Sequence, residues 1–204
     1  QGNLFRVTSD IPSEVMSLAE PLGCCLNAHS RLRVGMKDTV AGIGAGPIGL
    51  TVLEFARLTG APITVLELNE TRRAFVQQHY PEVSILPALP DGFAAQVIFD
   101  ATGHSGSMAR SLHLCRFTGR IIFVGITKES VLLDDPLFHR RELTLLASRN
   151  AVSSDFPRIL SLIESGQIKT QPWITHRCAF QDLPTTMPQW IKPETAVIKG
   201  ILQV

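Results

Sequence analysis

A doubly wound α/β fold, with helices covering both faces of a mostly parallel sheet, is what this sequence predicts. Three observations predict it. Short continuous apolar runs recur through the middle of the chain, as strands buried on both faces require. Segments with apolar residues at helical spacing alternate with those runs. A glycine-rich turn, "GIGAGPIGL", joins one such run to one such helix.

The elements follow in order. Thr39–Ile43, "TVAGI", reads as a buried strand. Pro47 to Leu58 places Ile48, Val52, Phe55 and Ala56 at helical spacing. Pro47 suits a first helical position, because its missing N–H would be unpaired there anyway. Gly60 stands where a C-terminal cap would. "PITVLEL" is the next strand, and Asn69 can cap a helix from Glu70 to His79. "QVIFDATG" and "RIIFVGI" are two more apolar runs, with "SGSMARSLHLC" as the helix between them. "ELTLLAS" gives a further strand. "SDFPRILSLIESG" gives a helix with Phe156, Ile159, Leu160 and Ile163 on one face.

That alternation predicts a Rossmann-type domain. Right-handed crossovers would gather the strand C-terminal ends on one edge, where such sheets bind ligands. Its expected span is 15–172. The lead, 1–14, and the tail, 173–204, fall outside the alternation and are expected to belong to a second domain whose bulk is absent. The tail reads as a strand, a proline-interrupted helix and a final strand, Ala196 to Val204.

Composition excludes several classes. With 19 basic and 18 acidic residues, the 204-residue chain has no broad basic footprint for nucleic acid and no polybasic membrane anchor. No uncharged apolar run approaches the length of a membrane span. Cys24, Cys25, Cys115 and Cys178 form no CxxC pair, which argues against a disulfide framework or a closed structural zinc site. A reducing, cytoplasmic compartment is the expectation.

The glycine turn carries chemistry. Gly44-Ala-Gly46-Pro-Ile-Gly49 is a GxGxxG that follows a strand and opens a helix, the context the motif needs. Gly44 permits the turn, Gly46 admits a pyrophosphate, and Gly49 lets helix and strand pack closely. Pro47 and Ile48 complete the loop at the positive end of the helix. Glu67 closes the next strand, where a carboxylate can accept both ribose hydroxyls and repel a 2′-phosphate. NAD is therefore expected over NADP, although Arg72 and Arg73 lie close enough to complicate that choice. A methyltransferase reading is weakened by the glycine spacing, which suits a pyrophosphate. A short-chain dehydrogenase needs a Tyr with Lys four residues on. The only tyrosine, Tyr80, has Ser84 there.

With "AEPLGCCLNAH…VAGIGAGPIGL", "FDATG", "ELTLLASRN" and "WITHRCAFQDLP" in this order, the chain resembles the medium-chain dehydrogenase/reductase family. The likeness is to its zinc-dependent branch of sorbitol, threonine and sugar-acid dehydrogenases, and it runs from about Leu4 to Val204. It implies a zinc- and NAD-dependent oxidation of a small alcohol or polyol, with a homo-oligomer, dimer or tetramer, as the assembly. It implies that the tail rejoins an N-terminal catalytic domain that carries the other zinc ligands, so the isolated chain would bind NAD without turnover.

The same resemblance places Glu20 facing the catalytic zinc, Thr102, Val124 and Gly125 beside the cofactor, Arg72 over the adenine, and Arg149 with Asn150 near the phosphates and substrate. No catalytic residue is assigned within the chain. Glu20-Pro21-Leu22 argues against the zinc-free quinone-reductase type. A non-catalytic nucleotide-binding module is the other alternative. Cys24 and Cys25 point about 100° apart on a helix, so joint chelation is disfavoured and buried packing is expected of both. Asn27 departs from relatives that often carry His there. His176 is expected to make structural hydrogen bonds.

Overall fold

The computed structural model describes residues 4–7 and 10–204. Gln1–Asn3 and Thr8–Ser9 of the lead segment lie outside the described residues. The strands are β1 (Val40–Ile43), β2 (Ile63–Leu66), β3 (Ser84–Leu86), β4 (Ala95–Asp100), β5 (Cys115–Phe123) and β6 (Thr144–Ala147). They form one sheet in the order β3-β2-β1-β4-β5-β6, and every pair is parallel. This is a doubly wound sheet whose order reverses between β1 and β4, where a ligand crevice opens at the strand ends. The register puts Leu66, Ile43, Asp100, Phe123 and Ala147 side by side along that edge.

The helices are α1 (Ser13–Met16), α2 (Ala19–Leu32), α3 (Pro47–Arg57), α4 (Glu70–His79), α5 (Ser105–Ser111), α6 (Asp135–Arg140) and α7 (Asp155–Glu164). Their local signals are mostly the expected ones. Pro47 begins α3, and the Asn69 side chain caps α4 by accepting the Arg72 N–H at 3.0 Å. Strand alternation divides the core. Val97, Phe99 and Ile122 join α2, α3 and α7 in one cluster, while Ile98, Ile121, Leu112 and Leu137 fill the other face.

Several elements depart from the sequence reading, among them the final strand, which runs over Lys199–Gln203 rather than Ala196 to Val204. β3 is only three residues long at the sheet edge and carries no strong apolar run. α6 is a six-residue helix whose Asp134 cap accepts the Leu137 N–H. The helix expected through Cys115 stops at Ser111 in a 3₁₀ turn, Leu112–Leu114. β5 then begins at Cys115, ahead of "RIIFVGI", because a register shift against β4 lets that polar stretch join the sheet.

The tail holds β7 (Ile174–Ala179), α8 (Leu183–Trp190, with Pro188 inside) and β8 (Lys199–Gln203). β7 and β8 pair in parallel as a separate small sheet. Lead and tail meet: Arg177 donates to both carboxylate oxygens of Glu14, at 2.8 and 2.9 Å, and Gln171 adds a third hydrogen bond. These partners hold the Glu14 carboxyl near pH 2. His176 bonds Thr175 and sits edge-on to Trp190.

His29 of α2 stacks on Phe99, and its Nε2 is buried with no hydrogen-bond partner among the described residues. Burial, reinforced by Arg158, lowers its pKa to about 4. The native state therefore resists a proton that the unfolded chain accepts near 6.5. This stability is complete above that pH and is lost as pH falls from 6.5 to 4. His29→Phe should remove up to about 3 kcal/mol of that acid-side loss. Urea unfolding at pH 7.5 and 4.5 checks it; equal pH dependence in both proteins would refute this role.

Candidate functional site

The ends of β1, β2 and β4 and the loops that leave them build a cleft of about 530 Å³ at the switch point, within the usual range for ligand sites. Gly44, Gly46, Glu67, Arg72 and Thr102 line it. His104, Ser107 and Arg110 line it too, and these were not anticipated.

The three glycines have different physical reasons. Gly44 has φ +92°, which side chains rarely adopt. Gly49 sits so close to β1 that a Cβ would lie 1.9 Å from the Gly44 carbonyl oxygen. Gly46 has an ordinary extended backbone, and a Cβ there would meet only Arg72 Nη1, at 3.6 Å. Its lack of a side chain leaves space in the cleft. Pro47 and Ile48 follow in the first turn of α3, whose N–H groups have no partners within the helix. The helix thus presents its partial positive charge to the cleft.

Glu67 anchors this loop. Its Oε2 accepts the Ala45 N–H at 2.7 Å, and Oε1 accepts the Asn69 N–H at 2.8 Å. Only 7% of the residue is exposed. One carboxylate therefore ties the glycine turn to the start of α4. Each oxygen keeps a second lone pair for a hydroxyl. Arg72 Nη1 stands 3.9 Å from Oε2. Arg73 turns away and donates to the carbonyls of Glu67 and Leu68.

Asp100 is the second buried anchor. It accepts the Thr102 N–H and hydroxyl on Oδ1 and the Ser107 hydroxyl on Oδ2. This fixes "DATGHSGS", where His104 caps α5. Thr102 is the residue that the resemblance of "FDATG" indicated, and an acid at a strand end followed by small hydroxyl residues in "FDATGHSGS" is a signal that could have found Ser107 as well. Val124 and Gly125 donate to the Asp100 carbonyl, and a Cβ on Gly125 would lie 2.3 Å from the Gly103 nitrogen.

Arg149 and Asn150 do not line that cleft. They leave β6 farther along the same edge, with Asn150 at φ +60°. Asn27 of α2 holds their loop: its Nδ2 donates to the Asn150 carbonyl at 2.9 Å and the Arg149 carbonyl at 3.3 Å.

Glu20 is exposed on the face of α2 that also bears Cys24 and Asn27. The Cys24 thiol donates to Glu20 Oε1 at 3.4 Å. This corrects the expectation that both cysteines pack. Cys25 is buried against the Ile48 carbonyl, whereas Cys24 is half-exposed one helical turn from Glu20. Burial and the Glu20 contact push the Cys24 thiol up to about 11; burial pushes Cys25 up to about 12. Glu20 and Cys24 are donors of types that zinc accepts, but among the described residues no three His, Cys, Asp or Glu side chains converge as a metal site. No helix among them is long and apolar enough to cross a membrane.

Residues 47–165, more than half of the chain, match the family described as zinc-binding dehydrogenase. This chain belongs to that family. It is similar to the L-galactonate-5-dehydrogenase of Escherichia coli strain K12, at 31% identity over 202 residues. The alignment covers 94% of this chain but 59% of that protein, so the chain spans about three-fifths of its relative's length. Two solved structures share the fold. One is an alcohol dehydrogenase (rspB) from E. coli CFT073 in complex with NADH, with a TM-score of 0.89 at 20% identity, covering 98% of this chain and 62% of that one. The other is a zinc-binding dehydrogenase from Sinorhizobium meliloti 1021 bound to NADP, with a TM-score of 0.76 at 22% identity, covering 84% and 54%.

The glycine geometry separates folding from binding. Gly49→Ala should lower the melting temperature and abolish NADH binding, because the methyl group overlaps the backbone. Gly46→Val should melt within about 3 °C of wild type yet bind NADH at least tenfold more weakly, since only the ligand's path is filled. Calorimetry and thermal melts check both; unchanged affinity in Gly46→Val would reject the cleft as the phosphate site.

Proposed function

We propose that this chain is the cofactor-binding part of a zinc-dependent dehydrogenase that oxidises a secondary alcohol of a polyol or sugar acid with NAD. The observation that carries the proposal is the glycine turn clamped by Glu67 at the switch point, in a chain of the zinc-binding dehydrogenase family. The substrate class is supported by similarity to a protein named for L-galactonate.

Each residue has a role in this reading. The N-terminus of α3 receives the pyrophosphate at Gly46, Pro47 and Ile48. Glu67 is already oriented by two backbone N–H groups and accepts the adenosine ribose hydroxyls. Its charge opposes a 2′-phosphate and favours NAD, while Arg72 moderates that preference from the cleft wall. Thr102, Val124 and Gly125 border the path toward the nicotinamide half. Arg149, on the loop held by Asn27, pairs with a cofactor phosphate or a substrate oxygen. Glu20 would hold one corner of the zinc site, with the remaining ligands supplied from outside this chain. When bound, NAD supplies the hydride acceptor and zinc the Lewis acid that polarises the substrate oxygen.

The lead and tail, joined through Glu14 and Arg177, are proposed to continue into a catalytic domain. A homo-oligomer is the proposed assembly. A reducing, cytoplasmic setting agrees with four free cysteines.

Calorimetry of this chain should show NADH binding about tenfold tighter than NADPH. Glu67→Gln should narrow that ratio to about threefold or less while weakening NADH. A chain that binds neither dinucleotide would refute the proposal. In the full-length protein, Arg149→Ala should raise the KM for NAD or for the alcohol about tenfold, and Glu20→Gln should lower zinc content measured by mass spectrometry. Unchanged kinetics and metal content would remove both residues from the site.

A further inference from the structure

Glu54 lies mid-way along α3, two helical turns beyond Pro47, with 0% of its surface exposed. Around it are apolar neighbours on α3 such as Leu53, Phe55 and Leu50, a setting that penalises a carboxylate oxygen without a partner. Both Glu54 oxygens have one. Tyr80, at the end of α4, donates its hydroxyl to Oε1 at 2.9 Å. Arg57 donates from Nε to Oε2 at 2.7 Å and from Nη2 to the Gln167 carbonyl at 2.6 Å. The Tyr80 oxygen in turn accepts the Trp173 indole N–H at 2.8 Å. Tyr80 is 4% and Trp173 3% exposed.

This relay joins α3 to the start of the tail. One end is α3, the helix whose first turn faces the cleft. The other is Trp173, the last residue of the 3₁₀ turn Gln171–Trp173 that opens directly into β7. Gly49 packs so closely on the Gly44 carbonyl that the glycine turn and α3 cannot shift independently. The buried Glu54 ties Tyr80 and, through it, Trp173 to the same helix. None of Glu54, Tyr80 and Trp173 lines the cleft.

We infer that the Glu54–Tyr80–Trp173 relay transmits dinucleotide binding at the N-terminus of α3 to the departure of the tail at β7, with Glu54 as its positioning residue. The inference rests on the proposed nucleotide site and extends it to a segment that site does not touch. Occupancy of the phosphate cradle changes the seating of α3, and the relay carries that change to Trp173. The tail, tied to the lead by Arg177 and Glu14, then feels whether the cofactor is present. Coupling of this kind is reciprocal, so the tail's arrangement also biases dinucleotide affinity.

Two readouts test it. The chain has two tryptophans, so Trp190→Phe leaves Trp173 as the only indole reporter. ADP-ribose, which lacks the nicotinamide chromophore, should change Trp173 emission on saturation. Glu54→Gln and Tyr80→Phe should still bind ADP-ribose by calorimetry but lose at least two-thirds of that change. As a measurement free of the Trp190 substitution, amide exchange of Ile174–Ala179 should slow at least threefold with ADP-ribose in the native chain and stay unchanged in Glu54→Gln. Binding without any response at Trp173 and β7 overturns the relay, as does a response that survives both substitutions. Absence of ADP-ribose binding to the native chain by calorimetry would overturn the nucleotide site itself, and the relay with it.

Discussion

The contact between Gly49 and the Gly44 carbonyl sets the geometry on which the site depends. With no room for a Cβ between them, α3 lies directly against the end of β1. Its first turn is thereby carried to the point where the strand order reverses. A helix N-terminus elsewhere on the surface would offer the same partial charge, but without the walls that β2 and β4 provide here. The close approach converts a common electrostatic feature into a cleft with defined sides.

Two buried carboxylates then stiffen the two sides of that cleft. Glu67 holds the glycine turn to the beginning of α4, and Asp100 holds the loop that leads into α5. Asp100 stands in register with Ile43 and Glu67 one residue past the partner of Ile43, Leu66, and both are satisfied by backbone N–H or hydroxyl donors, as burial demands. Their similarity suggests a division of labour: each is first a brace for a loop, and Glu67 retains lone pairs for a ligand. An acid at this position braces the fold from the wall of the cleft itself.

The other chemistry-bearing residues lie along the same edge of the sheet but on separate loops. Asn27 determines where the Arg149–Asn150 backbone runs, and α2 brings Glu20 and Cys24 to one face. The lead and tail are joined by a two-point ion pair between Glu14 and Arg177. The chain is thus organised as a doubly wound sheet with a linked pair of flanking segments, and it spans about three-fifths of the length of its aligned relative.

The sequence by itself determined the fold class, the position of the glycine turn and the acid at the end of β2. All of these depend on local spacing: period-2 and period-3.6 apolar patterns, a proline at a helix start, and glycines where no side chain fits. It missed β3 and α6, which are too short to carry a periodic signal. It also placed the start of β5 too late, because an irregular register admits polar residues to a strand. Only the tertiary structure decided which cysteine is core and which stands beside Glu20. It alone showed that Glu67 braces the loop, that Asn27 fixes the Arg149 loop, and that Glu54 reaches Trp173 through Tyr80. Those residues are separated by 22 to 123 positions or differ only in helical phase, and no local pattern encodes contacts that the packing of whole elements creates.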